Sequence, residues 1–389
     1  MKLLVLHITG LAGDPLEELD GRTLLDAAAT PALDEIARRG SCGTIRLLPE
    51  PTVAGAGAEL LSLLGYLESE AAIPSLGPLE AVAVGAPVGP RDVAFRVNLG
   101  SMAEDGVIRD TLGGGASAEE ALVLMERIDA KLSNRRLRFY PGRHFAHVMV
   151  WTDGPTEVRC TPAPLACGRA LVEALPEGDG DGALRQLIWD SIDLLSGHRL
   201  NHRRREEGLP PVDLLWPWAP GRRPELEHYV VRAREQALVL ADRLEVQGAA
   251  KAGGIPTREP PWEFGQARAA LIEAAAANGL TWLHVDLPER FEHPTDPEAH
   301  LRAFAALDAE LIAPVFTEAR TSAEAVRLIL VGTWPEAQWT PRPPALWGVW
   351  PALRNEGGLD VFTEAALREE GARVDETERL LQEARSATR

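Results

Sequence analysis

The sequence predicts an α/β fold with a mainly parallel sheet, and three observations indicate it. Segments with strand and helix patterns alternate over most of the 389 residues. The chain opens on a mostly apolar segment, Lys2–Ile8, which is typical of a buried strand. Glycine-rich turn chemistry follows this segment and leads into a helical pattern over Leu24–Arg39.

Local signals along the chain predict the individual elements. Thr30-Pro31 begins a helix and Gly40 ends it, because proline favours the first helical turn and glycine the position after the last. Ser117 and Glu120 form a capping box for a helix that runs to about Leu132. The other predicted elements are the helix Ala183–Leu195 and the strands Arg91–Asn98, Val107–Asp110, Arg136–Tyr140, His147–Trp151, Val212–Trp216, Thr281–Asp286 and Val326–Gly332.

One block of the chain has shorter elements and turns of the hairpin kind. It extends from about Phe95 to about Thr161 and includes two short strands separated by Pro141-Gly142. This pattern predicts a smaller inserted α/β domain. We therefore predict a discontinuous core domain over residues 1–94 and 162–389, with the inserted domain over residues 95–161.

Charge and composition limit the partners of the protein. The 58 acidic and 40 basic residues give a formal net charge of −18, so the surface should repel nucleic acid and anionic lipid. No apolar run approaches the ~18–20 residues that a membrane span needs. Three cysteines without CxxC spacing predict neither a disulfide framework nor a zinc site. We therefore predict a cytoplasmic protein that binds neither nucleic acid nor membrane, and the sequence leaves its oligomeric state open.

Several blocks, in order along the chain, carry a resemblance to a known family. These blocks are Glu18–Thr23, Ala28–Asp34, Leu61–Tyr66, Gly77–Ala81, Asp92–Leu99, Arg138–Gly142, His198–Asn201, Gly208–Pro211, Gly221–Pro224 and Phe362–Glu364. Together they resemble the archaeal-type 2,3-bisphosphoglycerate-independent phosphoglycerate mutases, which belong to the alkaline-phosphatase superfamily. The resemblance implies an alkaline-phosphatase-like core with a mainly parallel sheet flanked by helices, and an inserted domain of the substrate-binding type. It also implies an isomerase of glycolysis that uses a divalent metal such as Mn or Mg.

The chemical positions of that family are replaced in this chain. The resemblance places the serine nucleophile at Ala56, whose methyl group cannot attack phosphorus, and the first metal-binding aspartate at Thr9. The second metal segment keeps Glu289 and His293 as degenerate positions, and the third falls where Trp334 stands. Two divalent ions need several oxygen and imidazole ligands at once. We therefore predict that no catalytic residue is intact and that no metal or other cofactor is bound.

Scaffold residues that survive predict a ligand site. The resemblance implies that Arg96 meets the phosphate or carboxylate of the substrate and that His147 lies near it. The segment Asn201–Glu207 has two open interpretations, an anion cradle of arginines or a solvated helix with Arg–Glu pairs. We predict a small phosphorylated or carboxylate-bearing ligand, and the predicted ligand-binding residues are Arg96, Asn98, His147, Asn201, Arg203 and Arg222.

Three functional hypotheses follow from these observations. The leading one is a pseudoenzyme that lacks the nucleophile and most metal ligands and that binds a small phosphorylated acid. The alternative is an active phosphoglycerate mutase, or a related metal-dependent isomerase or hydrolase, with relocated chemistry. The third is a scaffold subunit of an active paralogue. Bound metal would discriminate the first two hypotheses.

Overall fold

The computed structural model describes residues 1–49, 55–67, 73–288, 296–335, 344–353, 358–374 and 377–386. The chain forms two compact units. One, the core unit, consists of Met1–Ala72 together with Leu226–Arg389, and the other, the inserted unit, consists of Ile73–Glu225. The inserted unit therefore interrupts the core unit in sequence.

Strands and helices alternate in both units. The strands are β1 (Lys2–Thr9), β2 (Ser41–Ile45), β3 (Val93–Met102), β4 (Ile108–Asp110), β5 (Leu137–Arg143), β6 (Ala146–Trp151), β7 (Leu214–Gly221), β8 (Ala237–Leu240), β9 (Thr257–Arg258), β10 (Leu280–Asp286), β11 (Val326–Thr333), β12 (Ala345–Trp350) and β13 (Ala372–Val374). The α-helices are α1 (Leu24–Ala27), α2 (Pro31–Arg39), α3 (Ala56–Leu63), α4 (Leu76–Ala83), α5 (Ala118–Leu132), α6 (Ala163–Ala166), α7 (Leu171–Ala174), α8 (Asp181–Ser196), α9 (Arg199–Glu206), α10 (Tyr229–Ala233), α11 (Leu244–Ala252), α12 (Phe264–Ala277), α13 (Pro297–Ala306), α14 (Ala313–Thr321), α15 (Glu364–Glu369) and α16 (Thr377–Ser386). Among these helices none has both the length and the apolar character of a membrane span.

The core unit is built on an eight-stranded sheet in the order β13-β2-β12-β11-β1-β10-β8-β9. The central strand β1 pairs in parallel with β10 and β11, and β8 pairs in parallel with β10. The strand β12 runs antiparallel to both of its neighbours. The prediction of a mainly parallel sheet flanked by helices is therefore confirmed, with β12 as the exception.

The two faces of β1 differ in chemistry because successive side chains of a strand point to opposite faces. Leu4, Leu6 and Ile8 belong to the large apolar cluster on one face of the sheet. His7 and Thr9 alternate with them and are buried on the other face. Polar chemistry is thus concentrated on one face, towards the carboxyl end of the strand.

The helix predicted over Leu24–Arg39 is two helices, which corrects the prediction. The first, α1, ends at Ala27, and α2 begins at Pro31. A proline disfavours helical backbone in the residue before it, and Thr30 accordingly has φ −128° and ψ 63°. The predicted end at Gly40 is confirmed, since Gly40 is the C-terminal cap of α2.

The inserted unit is larger than the predicted domain of residues 95–161. Its sheet has the order β4-β3-β6-β5, and β7 pairs antiparallel with β3. The strand β7 lies beyond residue 161, and α4, which packs on β3, lies before residue 95. These pairings correct the predicted bounds, because local sequence patterns signal a strand without signalling its partner.

Candidate functional site

Buried polar side chains gather at the carboxyl ends of the parallel strands in the core unit. Thr9 ends β1 and lies in register with Asp286 of β10 on one side and with Thr333 of β11 on the other. All three side chains are buried. In open α/β sheets this edge is where ligands bind. We call the following group the strand-end cluster: His7, Thr9, Glu59, Asp242, Arg243, Glu245, His284, Asp286 and Thr333.

Thr9, the position of the family's first metal ligand, is engaged with protein groups. Its Oγ1 lies 3.1 Å from Nε2 of His284, and the hydroxyl of Thr333 donates to it over 3.5 Å. On the other side of the His284 ring, Nδ1 lies 3.8 Å from Oδ1 of Asp242. The result is a line of hydroxyl, imidazole and carboxylate along the end of the sheet.

His7 and Glu59 connect β1 to α3. Nε2 of His7 lies 3.1 Å from Oε2 of Glu59, and both side chains are buried. Burial lowers the pKa of His7, although the hydrogen bond with Glu59 acts in the opposite direction. The imidazole is therefore neutral at neutral pH. Its ring also stands edge-on to that of His284, with 5.1 Å between the ring centroids.

Ala56, the position of the family's nucleophile, is the first residue of α3. The helix is buried along its whole length and packs against α11. Ala56 precedes Glu59 by three residues, so both lie on the same side of the helix. Ser62 on the same helix donates its hydroxyl to the carbonyl of Leu47, which gives it a structural role. The side chain at the nucleophile position is thus a buried methyl group.

An arginine supplies the positive charge in the strand-end cluster. Arg243 precedes α11, and its Nε and Nη2 both contact Oδ2 of Asp286. Its Nη1 lies 3.7 Å from Oε1 of Glu245. Asp286 and Glu245 are only 1% and 2% exposed, so this guanidinium meets carboxylates that have left water.

The described residues do not fit the two-metal centre that the resemblance implies. In the ranges that the structure describes, no group of three or more His, Cys, Asp and Glu side chains is placed to hold a metal ion. Thr9 and Ala56 offer neither carboxylate nor imidazole, and Trp334 packs into the apolar cluster. Glu289 and His293 lie outside the described residues. The absence of bound metal stays a prediction.

In the inserted unit, the predicted ligand residues Arg96 and Asn98 lie together on β3. Nε of Arg96 donates to Oδ1 of Asn98 over 3.2 Å, and its guanidinium lies over the ring of Trp218, 5.3 Å from the centroid. Nη1 of Arg96 lies 3.2 Å from Oε1 of Glu80. Both members of this ion pair are buried. Arg96 therefore already has a carboxylate partner within the unit.

Gly77 allows the helix that carries Glu80 to approach β3 closely. A Cβ at Gly77 would meet the carbonyl oxygens of Ala94 and Ala219 and the amide nitrogen of Arg96 at 2.6–2.7 Å. Real Cβ atoms do not approach backbone atoms so closely. Glycine at this position is thus what brings Glu80, one helical turn later, to Arg96.

His147 lies beside this pair in a buried position on β6. Its Nδ1 accepts a hydrogen bond of 3.0 Å from the amide of Gly142. Burial, and secondarily the charge of Arg96, lowers the pKa of His147 to about 3. None of the described residues offers its Nε2 a hydrogen-bond partner. A neutral imidazole could donate a hydrogen bond to an anion but could not attract it by charge.

The remaining predicted ligand residues do not converge on Arg96 through any observed contact. Asn201 is fully buried, and its amide group bonds the carbonyls of Leu195 and Val212 and the amide of Val212. Arg203 is exposed and pairs with Glu120 at 2.8 Å. Arg222 is exposed as well. These contacts favour a structural role for Asn201 and, for Arg203, the solvated-helix interpretation.

The sequence prediction missed Arg204, which is the buried arginine of its run. Nη1 of Arg204 donates to Oε2 of Glu120 over 2.8 Å, and its other nitrogens donate to the carbonyls of Pro210 and Gly114. Leu200, Asn201 and Arg204 are the buried residues of α9. Arg204 lies one helical turn after the apolar Leu200, and this spacing could have identified it as the arginine that faces inward.

Comparison with known proteins is consistent with the residue pattern. A family profile described as 2,3-bisphosphoglycerate-independent phosphoglycerate mutase matches residues 37–201. A protein of that name from Methanosarcina barkeri is 34% identical over 346 residues, covering 85% of each chain. Its counterpart in Methanosarcina mazei is 32% identical, also over 85% of each chain.

Two solved structures share the fold. The PH0037 protein from Pyrococcus horikoshii superposes with a TM-score of 0.73 at 20% identity, over 100% of this chain and 98% of that one. The cofactor-independent phosphoglycerate mutase from Thermoplasma acidophilum superposes with a TM-score of 0.59 at 18% identity, over 99% of each chain. At these identities the likeness shows the fold alone.

Proposed function

The chain belongs to the 2,3-bisphosphoglycerate-independent phosphoglycerate mutase family, and we propose that it is a member without mutase activity that binds a small phosphorylated acid. The observation that carries the first part is Ala56. A mutase that passes a phosphoryl group through a covalent intermediate needs an oxygen nucleophile with an activating group beside it. A buried methyl group at the start of α3 has no lone pair to attack phosphorus.

The strand-end cluster supports the same conclusion. Thr9 forms hydrogen bonds with His284 and Thr333 instead of offering a carboxylate. The nearby carboxylate of Asp286 is paired with Arg243. Restoring the hydroxyl alone would therefore leave it without a group that lowers its pKa.

We expect no interconversion of 3- and 2-phosphoglycerate above background in a coupled assay, with or without added Mn²⁺ or Mg²⁺. Ala56→Ser alone should restore nothing, because groups that act as a unit are not additive. The Methanosarcina barkeri relative, which bears the name of the mutase, serves as the positive control. Wild-type turnover that a chelator abolishes would contradict the proposal.

A second candidate function is favoured by the line formed by Thr9, His284 and Asp242. A hydroxyl within hydrogen-bond reach of an imidazole is the arrangement of a nucleophile and its base, although Oδ1 of Asp242, at 3.8 Å from Nδ1 of His284, is too far for a hydrogen bond. It would correspond to an enzyme with relocated chemistry. Turnover that survives the chelator and disappears in Thr9→Val would support this candidate over the first.

The ligand-binding part of the proposal rests on Arg96. Because Glu80 already meets its guanidinium, an anion would have to compete with a carboxylate, so affinity should be modest and sensitive to salt. A hydrogen bond to a charged group contributes ~1.5–3 kcal/mol. Arg96→Met should therefore weaken the binding of 3-phosphoglycerate, measured by calorimetry, by about 10-fold or more.

The matched control for this experiment is Arg258→Met. Arg258 is an exposed arginine of the core unit that pairs with Glu273. The Arg258→Met variant should bind 3-phosphoglycerate with the same affinity as the wild type. If 3-phosphoglycerate, phosphoenolpyruvate and phosphate all fail to bind the wild type, or if Arg96→Met binds equally well, the ligand proposal fails and the scaffold hypothesis takes its place.

A further inference from the structure

We propose that Arg243 supplies, from within the chain, the positive charge that the family resemblance assigns to a divalent ion at this edge of the sheet. The inference extends the proposed function, since it concerns what replaced the metal rather than whether turnover occurs. The first observation is the position of Arg243 in the fold. Arg243 follows β8 in the chain, and its side chain contacts Asp286, the last residue of β10.

The contacts of Arg243 indicate a counter-charge. Two of its nitrogens, Nε and Nη2, contact the same oxygen of Asp286, and Nη1 turns towards Glu245. One guanidinium thus lies between two carboxylates from different segments of the chain. A guanidinium stays protonated throughout the accessible pH range, so its charge is permanent.

Burial explains why a cation is needed at this position. Asp286 and Glu245 are nearly inaccessible to solvent, and Arg243 itself keeps only 16% of its side chain exposed. An ionised carboxylate in such surroundings is destabilising unless a cation and hydrogen bonds compensate it. Asp286 also lies in register with Thr9, where the family's metal-binding aspartate would stand. The compensating charge therefore lies beside the position from which a metal ligand has been lost.

The two kinds of cation compete at this position. Nε and Nη2 of Arg243 both contact Oδ2 of Asp286, so a metal ion would share this carboxylate with a guanidinium. The permanent charge of Arg243 also opposes a second cation close by. The fold of the core unit should then be independent of divalent ions, and it should depend on Arg243.

Thermal unfolding of the full-length protein tests this inference. We expect EDTA and millimolar Mn²⁺ each to leave the wild-type Tm unchanged. Arg243→Met should lower the Tm by about 5–10 °C, because it removes the guanidinium that contacts the buried carboxylates of Asp286 and Glu245. The double variant Arg243→Met with Asp286→Leu should recover at least half of that loss, since it removes both charges together.

Arg258→Met, which removes an exposed arginine of the same unit, is the control and should stay close to the wild-type Tm. If Arg243→Met does not yield folded protein, recovery of soluble protein in the double variant decides the question. A wild-type Tm that falls with EDTA, an Arg243→Met variant that matches the control, or a double variant no better than the single one would each overturn the inference. If the protein interconverts 3- and 2-phosphoglycerate while EDTA leaves its Tm unchanged, the proposed function is refuted and this inference still holds.

Discussion

Replacing Arg204 by alanine is expected to lower the free energy of unfolding of the inserted unit by about 3–5 kcal/mol. Arg204 is 1% exposed, and its guanidinium bonds Glu120 and two backbone carbonyls. Its removal leaves those buried carbonyls without a donor and takes one of two arginines from Glu120. Hydrogen exchange of peptides from α5 and α9 would measure the loss, because it reports on this unit separately from the core unit.

Arg203→Ala is the matched control for this substitution. Arg203 precedes Arg204 in the same helix and bonds the same carboxylate, that of Glu120, over the same distance of 2.8 Å. Its side chain, however, is 57% exposed, so the pair is screened by water. We expect a loss of at most about 1 kcal/mol. Equal losses in the two variants would contradict the idea that burial, rather than the ion pair itself, determines the effect.

Much of the core fold could be predicted from hydrophobic patterning. The apolar segments that became β1, β10 and β11 were recognised to within a residue or two at each end. The strand β12 was not predicted, and nothing local in its apolar sequence indicates that it runs antiparallel to β11. Direction and partner are decided by the rest of the sheet, so a local pattern cannot reveal them.

The sequence identified those site residues that stand at functional positions of the family. It did not predict the pairs that these and other residues form in the fold. Thr9, Ala56 and Arg96 were identified from the resemblance. The pairs His7–Glu59 and Arg243–Asp286 join residues 52 and 43 positions apart in the chain, and a sequence shows each residue without its partner. A usable signal did exist in part. His7 stands in a mostly apolar strand, and Glu59 in a mostly apolar helix. Buried polar residues in such places need partners.

Acid should destabilise the inserted unit through His147. Burial, with help from the charge of Arg96, lowers the pKa of His147 to about 3, whereas an unfolded chain restores a value of about 6.5. The folded unit therefore keeps this imidazole neutral while the unfolded chain takes up a proton. Its contribution to stability is complete above pH 6.5 and is lost progressively as the pH falls from 6.5 towards about 3.

Between pH 7 and pH 5 this single group should cost the unit about 2 kcal/mol, which follows from ~1.4 kcal/mol per pH unit below the unfolded pKa. Urea unfolding at pH 7, 6 and 5, followed by hydrogen exchange in β3 and β6, measures the loss. Carboxylates whose pKa values burial raises, such as Asp213, contribute in the opposite direction, so the comparison between variants isolates His147. His147→Gln, which keeps an acceptor for the Gly142 amide, should flatten the profile, whereas His202→Gln on the exposed side of α9 should not. A profile that His147→Gln leaves unchanged would show that the pKa of His147 is the same in the folded and the unfolded protein, so that the folded unit also takes up this proton below about pH 6.5. That result would turn it into a charged neighbour of Arg96 and a direct attraction for an anionic ligand.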